Sequence, residues 1–432
     1  MSNTLNQLFF KMRQQFFRAV FRWLPANFLN PSESLKKRTL VPCDFMNCGS
    51  VLFVGHDANL AGAQVLLLSL IKWINQNTGI TIKLILLDGG LLFNQFEQLA
   101  KTVVWKDLLK QHPDIIKRKK WLTGFVGKTD IIYGNSILSA AIYDELKFLD
   151  VPYISHIHEL EKSIQSYVGK STIQKMIRYT GKYIACSTPV SINLHKNHHI
   201  NPKKISIVHE FIERMELKFN SPINICRKKL GLVEDGLIVF GCGTVCWRKG
   251  VDIFIDTASL LKTRGLKNFH FYWIGKNLWD VDPVSSSRYS WSSLAKKMED
   301  NGLTGCITFL GVKENVMEYF LAGDVFYLPS REDPFPLVCL EAAQCGLPVI
   351  CFEEAGGMPD FVENNAGYTV PFENISIVIE KLMFLHENKQ KLEELGIAAR
   401  HKLLNRHLVE IAAPQILDIC QNLYNQHYKL LS

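Results

Sequence analysis

Asp333 and Glu341 stand eight residues apart in the segment PSREDPFPLVCLEAAQCGLPVI, residues 329–350. Carboxylates are good acceptors for sugar hydroxyls, and at this spacing the two acids sit at different depths: Asp333 in a loop, Glu341 near the middle of the helix that follows. Glu341 lies among Leu340, Ala342, Ala343 and Cys345, where a carboxylate without a partner is costly, so a functional role outweighs that of a surface acid. A second group is GCGTVCWRKG, residues 241–250. Its small residues let backbone come close to a ligand, and Arg248 and Lys249 can neutralise a leaving diphosphate. A dinucleotide fingerprint needs a third glycine where Cys246 stands, so the glycine spacing alone is weak. Glu353-Glu354-Ala355-Gly356-Gly357-Met358-Pro359 is a third, with paired glycines able to expose amides to an anion. Two weaker signals precede these: Ala61-Gly62-Ala63-Gln64 at a helix start, and His156-Ile157-His158-Glu159 at the end of an apolar strand.

These groups need elements to hold them. Apolar runs at 325–328 and 349–352 read as strands around the two-acid segment. Pro336 suits the first turn of the intervening helix, Gly346 its cap and Pro348 its stop. That helix turns its amino end, with open amides and partial positive charge, toward the loop. Further strands are predicted at 51–55, 82–87, 131–133, 153–157 and 183–186, then at 237–242, 270–274 and 307–310, with helical stretches such as 63–75, 137–148, 251–262, 291–301 and 315–322 between them. Continuous apolar strands alternating with helices indicate parallel sheets covered on both faces. The pattern lapses over 205–220, between Pro202 and Pro222. The division read from this is an extension and linker over 1–48, a first Rossmann-like domain over 49–212, a second over 213–405, and a closing helical segment over 406–432 that returns to the first domain.

Composition narrows the class. The chain has 432 residues, 47% hydrophobic and 21% charged, with no run long enough to span a membrane as a helix. Eleven cysteines without a CxxC pair fit reduced thiols in a cytoplasmic protein, and the histidines 195, 198 and 199 lack partners for a metal site. Residues 1–40 carry seven basic residues against Glu33 alone, out of a net charge of +8. Lys11, Gln15, Arg18 and Arg22 share one helical face opposite a broad apolar one, which makes residues 1–24 a candidate for peripheral contact with the inner face of a membrane, the alternative being a helix packed on the protein itself. Arginines interrupt the apolar stretch, which disfavours a cleavable signal peptide.

Taken together, residues 50–405 resemble the retaining GT-B glycosyltransferases of the group 1 transferase family, most strongly in SREDPFPLVCLEAAQCGLPVI. The resemblance implies an α/β fold of two doubly wound domains facing a cleft, no cofactor, no metal and no nucleic acid. It implies that a nucleotide sugar is the donor and a glycan or lipid-linked molecule the acceptor. The first acid of the two-acid motif, matched by Asp333, would contact the donor sugar, and the second, Glu341, the ribose. Lys249 matches the phosphate-loop lysine, Thr244 stands where an arginine is usual, and Arg248 is placed to compensate. Gly62, Gly356, Gly357, Pro336 and Leu337 are expected around the donor, and His158 at the transferred sugar. Asp333 departs from the family's usual glutamate and shortens the reach. No residue is an obvious covalent nucleophile, so the expected chemistry is same-face attack. The competing readings are a catalytically silent sugar-nucleotide-binding subunit, a sugar-nucleotide epimerase, and a dehydrogenase, the last disfavoured by the incomplete glycine fingerprint.

Overall fold

The computed structural model describes residues 49–216, 223–275 and 291–429, and the basic segment 1–24 lies outside them. The first domain holds a parallel sheet of seven strands, β1 Ser50–Gly55, β2 Thr81–Leu86, β3 Lys101–Val104, β4 Ile131–Asn135, β5 Tyr153–Ile157, β6 Thr180–Ala185 and β7 Ile205–Ile207, in the order β3-β2-β1-β4-β5-β6-β7. The second holds six, β8 Leu237–Cys242, β9 Phe269–Ile274, β10 Ile307–Gly311, β11 Val325–Leu328, β12 Val349–Phe352 and β13 Gly367–Val370, in the order β10-β9-β8-β11-β12-β13. Central strands such as β1, β4 and β8 are buried along their whole length, as sheets covered on both faces require. No disulfide joins the cysteines among the described residues. No described helix is long and apolar enough to cross a membrane.

Strand order reverses between β1 and β4 in the first sheet and between β8 and β11 in the second. At such a switch point neighbouring loops leave in opposite directions and open a crevice at the carboxyl ends of the strands. Asn135 ends β4, and the segments carrying Gly62, Lys249 and Asp333 follow β1, β8 and β11.

The chain passes between domains twice, and the two passages run side by side. Ile212 N donates to the His407 carbonyl at 3.0 Å, and Val409 N donates to that of Ile212 at 3.1 Å. Helix Val409–Lys429 then buries Ala413, Ile416 and Cys420 in the core of the first domain. Across the cleft, Glu332 accepts from Ser163 Oγ at 2.9 Å and from the amides of Lys162 and Ser163. The second domain thereby caps the first turn of helix Glu161–Tyr167, which has no side-chain cap of its own.

Three strands were not expected from the sequence: β3, β7 and β13. Each lies at a sheet edge and is short and partly exposed, so its apolar run is too brief to stand out. The stretch 137–148, read as one helix, is instead 3-10 over Ile137–Ile142, a single α-turn over Tyr143–Leu146 and 3-10 again over Lys147–Leu149. Tyr143 explains part of this. Its hydroxyl reaches Ser155 Oγ on β5 at 2.9 Å under the sheet, which holds the segment tighter to the strands than an α-helix allows.

Candidate active site

Helix Leu337–Gln344 starts one residue later than expected, with Pro336 at the N-cap rather than in the first turn. Its amino end has no side-chain cap and no acid in the first turn, which leaves it suited to an anion. Leu337, buried there, faces Gly62 across the cleft: a Cβ on Gly62 would come 3.9 Å from Leu337 Cγ. Any larger side chain at 62 would therefore fill the space between the two domains.

Asp333 is buried, and three side chains converge on it. Lys249 Nζ donates to Oδ2 at 2.6 Å, Arg248 Nη1 lies 3.2 Å from Oδ1, and Ser330 Oγ donates at 3.2 Å. Burial pulls the Asp333 carboxyl upward, but Lys249 and Arg248 together hold it below its ordinary value. Asp333, Lys249 and Arg248 form a trio with one net positive charge beside the open helix end. Lys249 is placed by its own loop: Gly243 has φ +142, and a Cβ there would meet the Lys249 stem at 3.1 Å. Gly250, at φ +65, could not carry a Cβ either, because it would fall 1.9 Å from the Pro329 carbonyl oxygen. The loops of residues 241–250 and 329–336 are thus pressed together. Arg331 braces them from behind with a bidentate pair to Asp252 at 2.8 and 2.7 Å. Thr244 is exposed on this loop.

Gly356 and Gly357 have a packing task. A Cβ on Gly356 would fall 1.7 Å from the Asp333 carbonyl oxygen, and the Gly357 amide donates to the Pro334 carbonyl at 2.9 Å. That amide is engaged within the protein, and the pair lets the 353–359 loop lie directly against the loop of Asp333.

Glu341 differs from Asp333, Glu332 and Glu210, whose carboxylates all have partners. It projects from the middle of helix Leu337–Gln344, and its carboxylate has no hydrogen-bond or ion-pair partner among the described residues. Burial alone raises its pKa to about 7. A desolvated, partnerless acceptor is unfavourable in the empty protein, and a ligand carrying hydroxyl donors removes that penalty.

In the first domain, His158 is held at both ring nitrogens. Asn135 Nδ2 donates to the Ala63 carbonyl at 2.9 Å, which fixes the amide so that its oxygen faces His158 Nε2 at 3.0 Å. Nε2 must therefore carry hydrogen. Nδ1 lies 2.7 Å from Glu210 Oε1. Burial pulls the His158 pKa down, but the charge and hydrogen bond of Glu210, with help from Glu159, bring it above its ordinary value. The ring is fastened to the amino end of helix Gly62–Asn77 and to the interdomain passage. The Cys186 thiol lies within 4.8 Å of these groups, but burial pushes it well up and keeps it protonated.

Glu210, Asn135 and Glu332 escaped the sequence reading. Glu210 had a legible signal. It sits in Ile205-Ser206-Ile207-Val208-His209-Glu210-Phe211-Ile212, an acid in an apolar run like Glu341. Replacing it tests the pairing. In Glu210→Gln the imidazolium loses its counter-charge while burial remains, so the His158 titration moves from above 6.5 in the wild type to below it. Imidazole NMR resonances followed from pH 5 to 8 read this directly, and an unmoved titration would contradict the pairing.

Solved structures share the whole architecture. A HepE protein of Anabaena in complex with UDP-glucose aligns over 86% of this chain and 99% of its own, with a TM-score of 0.72 at 19% identity. WaaG, a glycosyltransferase involved in lipopolysaccharide biosynthesis, aligns over 85% and 99%, with a TM-score of 0.61 at 17% identity. The two facing Rossmann-like domains are a GT-B glycosyltransferase fold. Residues 223–402 match the family described as glycosyl transferases group 1. Among curated relatives, the Escherichia coli O-antigen biosynthesis glycosyltransferase WclY is 26% identical over 193 residues, covering 44% of this chain and 49% of its own. The Campylobacter jejuni N,N'-diacetylbacillosaminyl-diphospho-undecaprenol alpha-1,3-N-acetylgalactosaminyltransferase is 25% identical over 229 residues, covering 53% and 50%. The chain spans about half the length of these two relatives.

Proposed function

We propose that this protein transfers a sugar from a nucleotide-sugar donor to a glycan or lipid-linked acceptor, with retention of the anomeric configuration and without a metal. The observation that carries the reading is Glu341: a half-buried carboxylate with no partner among the described residues, on the helix whose open amino end faces a net positive trio. A ribose diol supplies the donors that Glu341 lacks, and the diphosphate lies between the helix end and Lys249 and Arg248. Asp333, held ionised by the same two cations, is oriented to accept from a hydroxyl of the donor sugar. The acceptor enters from the first domain, past Gly62 and His158.

As the bond from the anomeric carbon to the phosphate oxygen breaks, the sugar gains positive character and the diphosphate gains charge. Lys249, Arg248 and the helix amides stabilise the diphosphate. The acceptor oxygen bonds to the anomeric carbon on the same face, and its proton passes to the departing phosphate oxygen. A lipid-linked acceptor accords with the name of the Campylobacter jejuni relative and with that of an Escherichia coli alpha-1,3-galactosyltransferase acting on alpha-D-GlcNAc-diphosphoundecaprenol, 23% identical over 73% of this chain. Such an acceptor places the protein at the cytoplasmic membrane surface.

Incubation of the purified protein with UDP, GDP and ADP sugars, with and without polyprenyl-diphosphate-linked saccharides, tests the reading. Transfer to a product whose anomeric proton keeps the donor's configuration is expected. Binding without transfer or donor hydrolysis is the outcome for a silent subunit, and C4 or C2 inversion of the donor sugar the outcome for an epimerase.

A further inference from the structure

Two acids of the second domain end on helices of the first. Glu332, one residue before Asp333, accepts from Ser163 Oγ at 2.9 Å and from the amides of Ser163 at 3.2 Å and Lys162 at 3.3 Å. Asp360, in helix Met358–Val362, accepts from the Thr188 amide at 3.0 Å, in the first turn of helix Thr188–His198. His209 Nε2, from the passage between the domains, lies 3.5 Å from the same Asp360 oxygen. The two capped helices follow β5 and β6, which are neighbours in the first sheet. A first turn leaves amides without partners, and here carboxylates of the opposite domain supply them. These amides keep their acceptors only while the domains stay together.

The loops that reach across also carry the cations of the donor site. The Arg248 carbonyl accepts from the amides of Arg331 at 2.8 Å and Glu332 at 3.4 Å, and Arg248 Nη1 donates to the Glu332 carbonyl at 2.9 Å. Trp247, one residue before Arg248, has its ring under the Lys162 ammonium, 4.3 Å from ring centroid to nitrogen. In each loop, therefore, one residue meets helix Glu161–Tyr167 and the next belongs to the donor trio: Trp247 then Arg248, Glu332 then Asp333. At the second contact the domains approach closely, since a Cβ on Gly357 would fall 2.6 Å from Ser187 Cβ, one residue before Thr188.

We infer that Glu332 is a positioning residue. Its side chain, together with Asp360, latches the second domain onto two helices of the first, and its backbone seats Arg248 beside Asp333. One residue thus ties the apposition of the domains to the assembly of the cationic trio. A purely local cap would steady helix Glu161–Tyr167 and nothing else, whereas a latch makes both contacts open together. The consequence for turnover rests on the transfer reading given above; the latch does not.

Exchange of single amides, followed by NMR on the ligand-free protein, separates the two. In Glu332→Ala, exchange at Lys162 and Ser163 should speed up by about 10- to 100-fold, the factor lost with a hydrogen bond to a charged group. Thr188, whose own acceptor is untouched, should speed up with them, because one opening exposes all three. The reciprocal variant Asp360→Ala should speed exchange at Lys162 and Ser163, where Glu332 remains. Glu332→Gln, which keeps one acceptor oxygen, should regain part of the protection at all three amides. In a transfer assay, Glu332→Ala should lower kcat by up to the same factor and leave nucleoside diphosphate affinity unchanged, because the side chain of Glu332 meets the first domain and not the trio. Faster exchange confined, in each variant, to the amides whose own acceptor was removed would overturn the latch. Loss of diphosphate affinity equal to the loss of kcat would overturn the positioning role. The exchange measurements need no transfer, so they decide the latch even if the wild type transfers no sugar.

Discussion

Lys249→Ala should lower the turnover of donor by about 10²- to 10³-fold, the range seen when one preorganised group is removed from a developing oxyanion. The ammonium lies 2.6 Å from Asp333 and contributes to the net positive trio beside the helix end. Its removal also leaves a buried carboxylate with one cation fewer. The stability loss should fall below the roughly 3–5 kcal/mol of a fully orphaned buried charge, because Arg248 remains at 3.2 Å. Chemistry and folding are separated by the double variant Lys249→Ala/Asp333→Asn. Removing the excess negative charge should restore most of the thermal midpoint and none of the activity. Recovery of activity together with stability would mean that Lys249 serves only the fold.

Glu341→Gln should weaken donor binding by about 10- to 100-fold, since a hydrogen bond to a charged acceptor contributes roughly 1.5–3 kcal/mol. The same change should stabilise the ligand-free protein near neutral pH. Burial raises the Glu341 pKa to about 7 from an ordinary 4.5, so between those values the folded state binds more protons than the unfolded one. The wild type therefore loses stability from this group as pH rises from 4.5 to 7, and the loss is complete above about 7. The midpoint of Glu341→Gln minus that of the wild type should be near zero at pH 4.5 and reach a plateau above pH 7. Donor affinity of the wild type should fall as pH drops below about 7, and that of the variant should stay flat through the same window. A variant less stable than the wild type at pH 8 would contradict the unpartnered carboxylate. The opposition of stability and binding at one residue is what a preformed ligand site entails.

The sequence was most legible where local chemistry and burial coincide. Strand β11, the loop with Asp333 and the helix with Glu341 follow from Pro329, Pro336, Gly346 and Pro348, and a carboxylate flanked by Leu340 and Ala342 announces a special environment. Central strands were legible for the same reason, being apolar along their whole length. The edge strands β3, β7 and β13 were not, because partial exposure relaxes the demand for apolar residues. Contacts between distant segments were least legible. Nothing local in Asn135 reveals that its amide is locked by Ala63, seventy-two residues away, or that Glu332 caps a helix in the other domain. The glycines at 356 and 357 show the limit of motif reading: they look like a bed of open amides, yet the Gly357 amide is engaged by Pro334 and a Cβ at 356 would strike the loop of Asp333.

The most direct test of the donor site compares UDP, GDP and ADP with their 2′,3′-dideoxy counterparts by calorimetry, on the wild type and on Glu341→Gln. At least one diphosphate should bind the wild type, and removing its ribose hydroxyls should weaken binding about as much as the substitution does. The substitution should then cause no further loss with the dideoxy ligand. If no diphosphate binds, or if Glu341→Gln weakens ribose and dideoxyribose ligands equally, Glu341 does not hold a ribose and the donor-site assignment fails.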